Sequence, residues 1–233
     1  CQSDRRRPHR TAQFLALAPL RTRRPLQDHV MKPFPAVAIL EFLDIPSGIQ
    51  ATDAMLKKAP IAFLKNGTIT RGRYLTVIGG STGAVEESFA EGLYWGGNAV
   101  LDKVFLPDVH PDVFAAMFGR RKATRDGAWA IVETASISAN IRAAEVALKG
   151  TPVELIELRL ADDGLAGKGL SIYEGALHDV AAAMDIAAAF LQRAGVAFTH
   201  RILTSPHEAL GRQLTGNTRF HEAEAMVLDG ETN

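Results

Sequence analysis

Ala36-Val-Ala-Ile-Leu-Glu41 and Ala128-Trp-Ala-Ile-Val-Glu133 are one segment occurring twice, 92 residues apart. Each is a nearly continuous apolar run closed by a carboxylate, the pattern of a strand buried on both faces. The same offset pairs Asp53 with Glu145, Lys57 with Lys149 and Pro60 with Pro152. Three residues of insertion later, Gly72 pairs with Gly167, Arg73 with Lys168 and Gly80 with Gly175; further on, Leu106 meets Leu203 and His110 meets His207. The chain is therefore two copies of one module, and the fold question reduces to reading one of them.

In the first copy the strand from Ala36 to Phe42 meets a turn with Pro46 and Gly48. Ser47 and Gln50 then have the spacing of a capping box that opens a helix through Lys58, with Pro60 as its stop. A strand through Leu64 leads to a loop, Asn66-Gly-Thr-Ile-Thr-Arg-Gly-Arg73, and a further strand ends at Gly79-Gly80. A second helix carries Val85, Phe89 and Leu93 on one stripe, matched by Val180, Met184 and Leu191. A strand from Ala99 to Leu106 and a short helix led by Pro111 complete the copy. The order β-α-β-β-α-β predicts an α+β fold: two tandem ferredoxin-like (split βαβ) domains, antiparallel sheets with helices on one face. The expected organisation is a basic extension over residues 1–35, domains over 36–119 and 128–216, a polar linker over 120–127 and a tail over 217–233.

Composition excludes several classes of function. Lys plus Arg number 26 against 26 Asp plus Glu, so no overall field draws nucleic acid or an anionic membrane. Residues 1–30 differ, with seven Arg against two Asp; this segment reads as a disordered or non-native leader, with Met31 a natural start, and a basic arm touching cargo or nucleic acid is the rival reading. A single cysteine, Cys1, forbids intramolecular disulfides and clustered-thiolate metal sites, in keeping with a reducing cytoplasm. No apolar run reaches the roughly 18 residues a membrane span requires. Walker, dinucleotide, nucleophile-elbow and His-Glu-x-x-His patterns are all missing, so no enzyme is expected.

Read in order and twice over, Ala36 to Glu41, Gly48-Ile-Gln-Ala-Thr-Asp53-Ala-Met-Leu-Lys57 and Gly72-Arg-Tyr-Leu-Thr-Val-Ile-Gly-Gly80 resemble the bacterial microcompartment shell domain. With Leu106-Pro-Asp-Val-His-Pro111 and Ser205-Pro-His-Glu-Ala-Leu210, the tandem is similar to the unpermuted two-domain subunits typified by the iron–sulfur shell subunit of propanediol-utilising compartments. The resemblance implies a homotrimer whose six domains imitate a hexamer, tiling beside other shell hexamers and pentamers, with a pore on the three-fold axis. It implies a location in a cytoplasmic microcompartment shell, with enclosed enzymes as further partners. A trimeric ligand-sensing regulator is the alternative, because the split βαβ unit also builds nucleotide sensors and Thr68 to Arg73 could cradle a phosphate.

The resemblance also nominates residues. The loop between the middle strands would face the pore, offering Thr68, Thr70 and Arg71 from the first copy and Asp162, Asp163, Gly164 and Leu165 from the second; charged rings at a narrow opening select by sign. The alternative for Asp162 and Asp163 is a turn whose carboxylates pair with Arg71 or Arg159. In the iron–sulfur relative a loop cysteine ligates the cluster. Thr70 stands there in this chain and cannot replace a thiolate, so no cofactor and no metal are expected. Lys57 and Lys149 match the family's edge lysine, each four residues after an acid, and Ser205 and His207 stand where many relatives carry Arg-Pro-His. His110 and His207 are equivalent and read as structural or edge residues. Glu41 and Glu133 are expected to share one role, a structural hydrogen bond.

Overall fold

The computed structural model describes residues 35–160, 164–214, 218–219 and 222–223. Its first module runs β1 (Ala36–Phe42), α1 (Ile45–Lys58), β2 (Phe63–Ile69), β3 (Arg73–Gly80), α2 (Thr82–Gly96), β4 (Val100–Leu106) and α3 (Pro111–Met117). The second repeats it as β5 (Ala128–Thr134), α4 (Ile137–Gly150), β6 (Glu154–Leu160), β7 (Gly169–Gly175), α5 (Leu177–Arg193), β8 (Phe198–Leu203) and α6 (Glu208–Leu214). Both sheets are antiparallel, ordered β2-β3-β1-β4 and β6-β7-β5-β8. This is the arrangement the repeated β-α-β-β-α-β pattern predicts.

Burial explains the two signature strands. All seven residues of β1 are buried. Ala36, Ala38, Leu40 and Phe42 join Met55, Ile78 and Val85 in the core beneath α1 and α2. Those helices approach closely because Gly92 is bare: a Cβ there would lie 2.6 Å from Leu40 Cδ1 and from Met55 Sδ. Beyond this module, α4 packs against β1 and β4, and α3 packs against β6. The two modules thus share one seam rather than hanging on a linker.

The first helix starts earlier than its sequence suggests. Asp44, not Ser47, is the N-cap of α1: its Oδ1 accepts the Ser47 N–H at 2.9 Å, and Pro46 sits in the first turn, where its missing N–H costs nothing. Ser136 caps α4 in the same extended backbone conformation, accepting the Ala139 N–H at 3.3 Å. A second difference concerns the predicted loop from Asn66 to Arg73. Pairing continues along β2 to Ile69 opposite Arg73, so only Thr70, Arg71 and Gly72 lie outside the ladder.

The polar segment over 120–127 is fastened in place. Buried Glu174 accepts the backbone N–H groups of Arg125 and Gly127 at 2.8 and 3.1 Å and the Trp129 indole N–H at 3.2 Å. Lys122 donates its N–H to the Ile156 carbonyl and pairs with Asp112 at 2.8 Å. Among the described residues, no helix is long and apolar enough to cross a membrane.

Candidate functional site

The two middle-strand loops carry the same backbone signature. Arg71 and Gly72 have φ of 69° and 68°; their counterparts Ala166 and Gly167 have φ of 48° and 86°. Two consecutive left-handed residues turn the chain sharply at both places, and a non-glycine residue at the first costs about 1–2 kcal/mol. The fold then brings the loops together. Arg73 Nη1 reaches the Gly167 carbonyl at 3.5 Å, and a Cβ on Gly167 would sit 2.7 Å from that nitrogen. Gly167 therefore satisfies two demands, a positive φ and room for a guanidinium.

Around this junction Thr68, Arg71 and Gly164 are exposed and Thr70 is half-buried. Leu165 is buried, packed into the protein and away from solvent. Asp162 and Asp163 lie outside the described residues. A cavity of about 700 Å³ beside the first loop is walled by Thr68, Thr70, Lys65, Phe118 and Leu160. Lys65 donates to the Met117 carbonyl at 3.3 Å and stands 5.3 Å above the Phe118 ring; burial holds its pKa below the ordinary lysine value.

The domain seam holds the most perturbed carboxylate. Glu41 has no solvent exposure; its Oε1 accepts the Ser138 N–H at 2.6 Å, and Oε2 is buried without a hydrogen bond. Burial pushes its pKa up to about 7, opposed by the Ser138 hydrogen bond and reinforced by the negative charge of Asp102. Asp102 in turn accepts a hydrogen bond from the Ser136 hydroxyl. Glu133 does not share this role. It is part-exposed and pairs with Lys168 at 2.6 Å. The residue equivalent to Ser138 is Pro46, which has no N–H to offer.

The edge candidates divide in the same way. Lys149 lies at the seam, 2.8 Å from Glu145 and 3.6 Å from Asp108 Oδ2, and it also donates to the Asp108 carbonyl. Glu145, the nearer carboxylate, raises the lysine's pKa. Glu145 itself is buried and accepts the His110 N–H at 3.0 Å. Lys57 is exposed and, among the described residues, pairs with its helical neighbour Asp53 at 2.5 Å. Ser205 and His207 are exposed. The two equivalent histidines are helix caps: Nδ1 of His110 accepts the Asp112 N–H, and Nδ1 of His207 accepts the Ala209 N–H, each at 3.2 Å. Sequence reasoning saw the equivalence of Glu41 with Glu133 and of Lys57 with Lys149. It missed the seam, whose only early signal was a carboxylate inside an apolar strand.

Among the described residues, no three His, Cys, Asp or Glu side chains gather as a metal-ligand set. Equivalent caps, equivalent left-handed loops and one internal seam define a duplicated α+β module. The BMC domain model matches twice, over residues 36–109 and 128–206. The bacterial microcompartment shell protein PduT of Citrobacter freundii is 35% identical over 179 residues, covering 77% of this chain and 97% of the relative. A microcompartments protein from Desulfitobacterium hafniense DCB superposes with a TM-score of 0.67 at 31% identity, over 77% of this chain and 99% of its own. The fused permuted hexameric shell protein MSM0275 from the RMM microcompartment shares the fold, with a TM-score of 0.51 at 24% identity over 68% of this chain and 84% of its own. The chain belongs to the BMC-domain family and is a homologue of microcompartment shell proteins. The ligand-sensing regulator finds no support among these relatives.

Proposed function

We propose that the protein is a structural tile of a bacterial microcompartment shell: a homotrimer whose six domains form a pseudohexameric ring around a central pore. The observation that carries this reading is the meeting of Arg73 with Gly167. It draws the middle-strand loops of both domains to one corner of the chain, where a ring of such chains would gather all of them around its axis. Thr68, Thr70 and Arg71, with Gly164 and its acidic neighbours Asp162 and Asp163, are the candidates to line that opening. Three-fold symmetry would triplicate each charge, so metabolites would be sorted by sign.

In this reading domains over 36–119 and 128–216, joined through 120–127, are the tiling units. Lys57, Lys149, Ser205 and His207 belong to their edges, and the role is structural rather than catalytic. Shell hexamers and pentamers are the lateral partners, and enclosed enzymes face one side of the tile. Sedimentation equilibrium tests the ring: three chains of 25.1 kDa should give a species of about 75 kDa. Co-expression with hexameric shell proteins should incorporate the protein into sheets or closed shells seen by electron microscopy. A monomer that never enters such assemblies would overturn the proposal.

A further inference from the structure

Strand β2, Phe63-Leu-Lys-Asn-Gly-Thr-Ile69, carries a glycine in its interior. Such a glycine weakens a strand, and it marks a bulge, a tight bend or a place where a ligand or another backbone comes close. The β2–β3 ladder runs through Gly67 without a shift of register. Its φ is not positive, and a Cβ built on it would meet nothing within 4 Å. Neither the backbone nor the packing requires a glycine here. The space it leaves open is the cavity of about 700 Å³ beside the first loop.

The second copy shows the same place filled. By ladder register Lys65, opposite Val77, corresponds to Glu157, opposite Ile172; Gly67, opposite Leu75, corresponds to Arg159, opposite Leu170. Glu157 and Arg159 are 6% and 7% exposed. Arg121 pairs with Glu157, and Arg159 donates to the Thr218 hydroxyl at 2.8 Å. In the first copy the guanidinium is gone and the carboxylate has become an ammonium. The cavity is therefore a known place in the module, opened and inverted in charge.

We propose that this cavity binds a small organic anion, a monocarboxylate with a short hydrocarbon body. Lys65 and Arg219 are the cations of its wall, and none of the residues that line it is acidic. Arg219 lies 3.9 Å from Glu222, which stands outside the wall. Lys65 differs. Its ammonium donates to the Met117 carbonyl at 3.3 Å and stands 5.3 Å above the Phe118 ring, and among the described residues no carboxylate pairs with it. An ammonium has three donors, so this one keeps donors for a ligand and asks for a single negative charge.

The rest of the wall asks for hydrocarbon. Ile69, Leu75, Val77 and Leu160 line the cavity, and the first three share one face of β2 and β3 with Lys65 and Gly67. An apolar hollow of this size with a few polar groups is the usual form of a small-molecule site. An inorganic anion would leave the apolar surface wet, and a neutral alcohol would leave the ammonium without a counter-charge; a carboxylate on a short chain satisfies both. Thr70 belongs to the wall and to the three-residue loop, so an occupant touches the loop that carries Arg71. Every group named lies in one chain, and the site does not depend on the shell-tile reading.

The test is calorimetric titration of the full chain with hexanoate, with hexanol and inorganic phosphate as controls. Hexanoate should bind once per chain, and each control about tenfold more weakly or not at all. Lys65→Met should weaken hexanoate about tenfold, the scale of a charge-assisted hydrogen bond. Gly67→Leu grows a side chain into the cavity from a point where a Cβ meets nothing, so it should abolish binding and leave the circular dichroism spectrum intact. No binding of hexanoate to the parent chain, binding no tighter than that of hexanol, or binding that survives Gly67→Leu would each overturn the site. Sedimentation of the same samples reads the tile separately. A trimer that ignores hexanoate overturns only the anion site, and a monomer that binds it overturns only the tile.

Discussion

Glu41→Gln is the substitution that most directly probes the seam. In the folded chain the carboxyl is buried between the domains and its pKa is pushed from 4.5 to about 7. Below pH 4.5 the folded and unfolded chains both hold the proton, and the shift has no effect on stability. Between 4.5 and about 7 the unfolded chain has released it while the folded chain retains it, so stability falls as pH rises through that window and levels off above it. At about 1.4 kcal/mol per pH unit, the loss across the window is about 3 kcal/mol. Glutamine is neutral throughout and keeps an oxygen for the Ser138 N–H. Guanidinium unfolding, followed by the fluorescence of Trp95 and Trp129 at pH 5, 6, 7 and 8, should show the variant gaining on the parent by up to about 3 kcal/mol toward pH 8. The other titrating groups are common to both proteins, so the difference between the two curves isolates Glu41. Parallel curves over this range would refute the argument that burial holds the proton on Glu41.

Other perturbations test the frame around the site. Glu174→Ala removes the acceptor for the Arg125, Gly127 and Trp129 N–H groups and should cost about 3 kcal/mol in chemical denaturation, with a changed Trp129 emission. Gly92→Ala forces a methyl against Leu40 and Met55 and should lower stability by about 1–3 kcal/mol, read as a reduced melting temperature by calorimetry. Ile49→Asp, on the exposed face of α1, should leave the circular dichroism spectrum intact while shifting the sedimenting species toward the monomer.

The comparison of the two copies shows where local sequence stops being sufficient. Duplication, the order of elements and helix stripes are legible because they depend on periodicity and punctuation: seven apolar-dominated positions bounded by turn signals read as a strand covered on both sides, and Val85, Phe89 and Leu93 fall at the spacing of one helix face. The left-handed turns are partly legible, since Gly72 and Gly167 mark them, although Arg71 and Ala166 give no such signal. The start of α1 is not legible, because Ser47 and Gln50 have the spacing of a capping box while Asp44 has the side chain that meets the Ser47 N–H.

Sequence by itself therefore determined that this protein is two ferredoxin-like modules in tandem, and it named the residues that recur. Only the tertiary structure decided what each recurrence does. Glu41 and Glu133 close the same strand segment, yet one is a buried acid at a seam and the other an exposed ion pair. Lys57 and Lys149 follow the same helical acid, yet only Lys149 reaches a second domain. The physical reason is that a side chain's charge state and partners follow from what is packed against it. In a chain with two copies of one module, each copy has a neighbour in the same molecule on one side only.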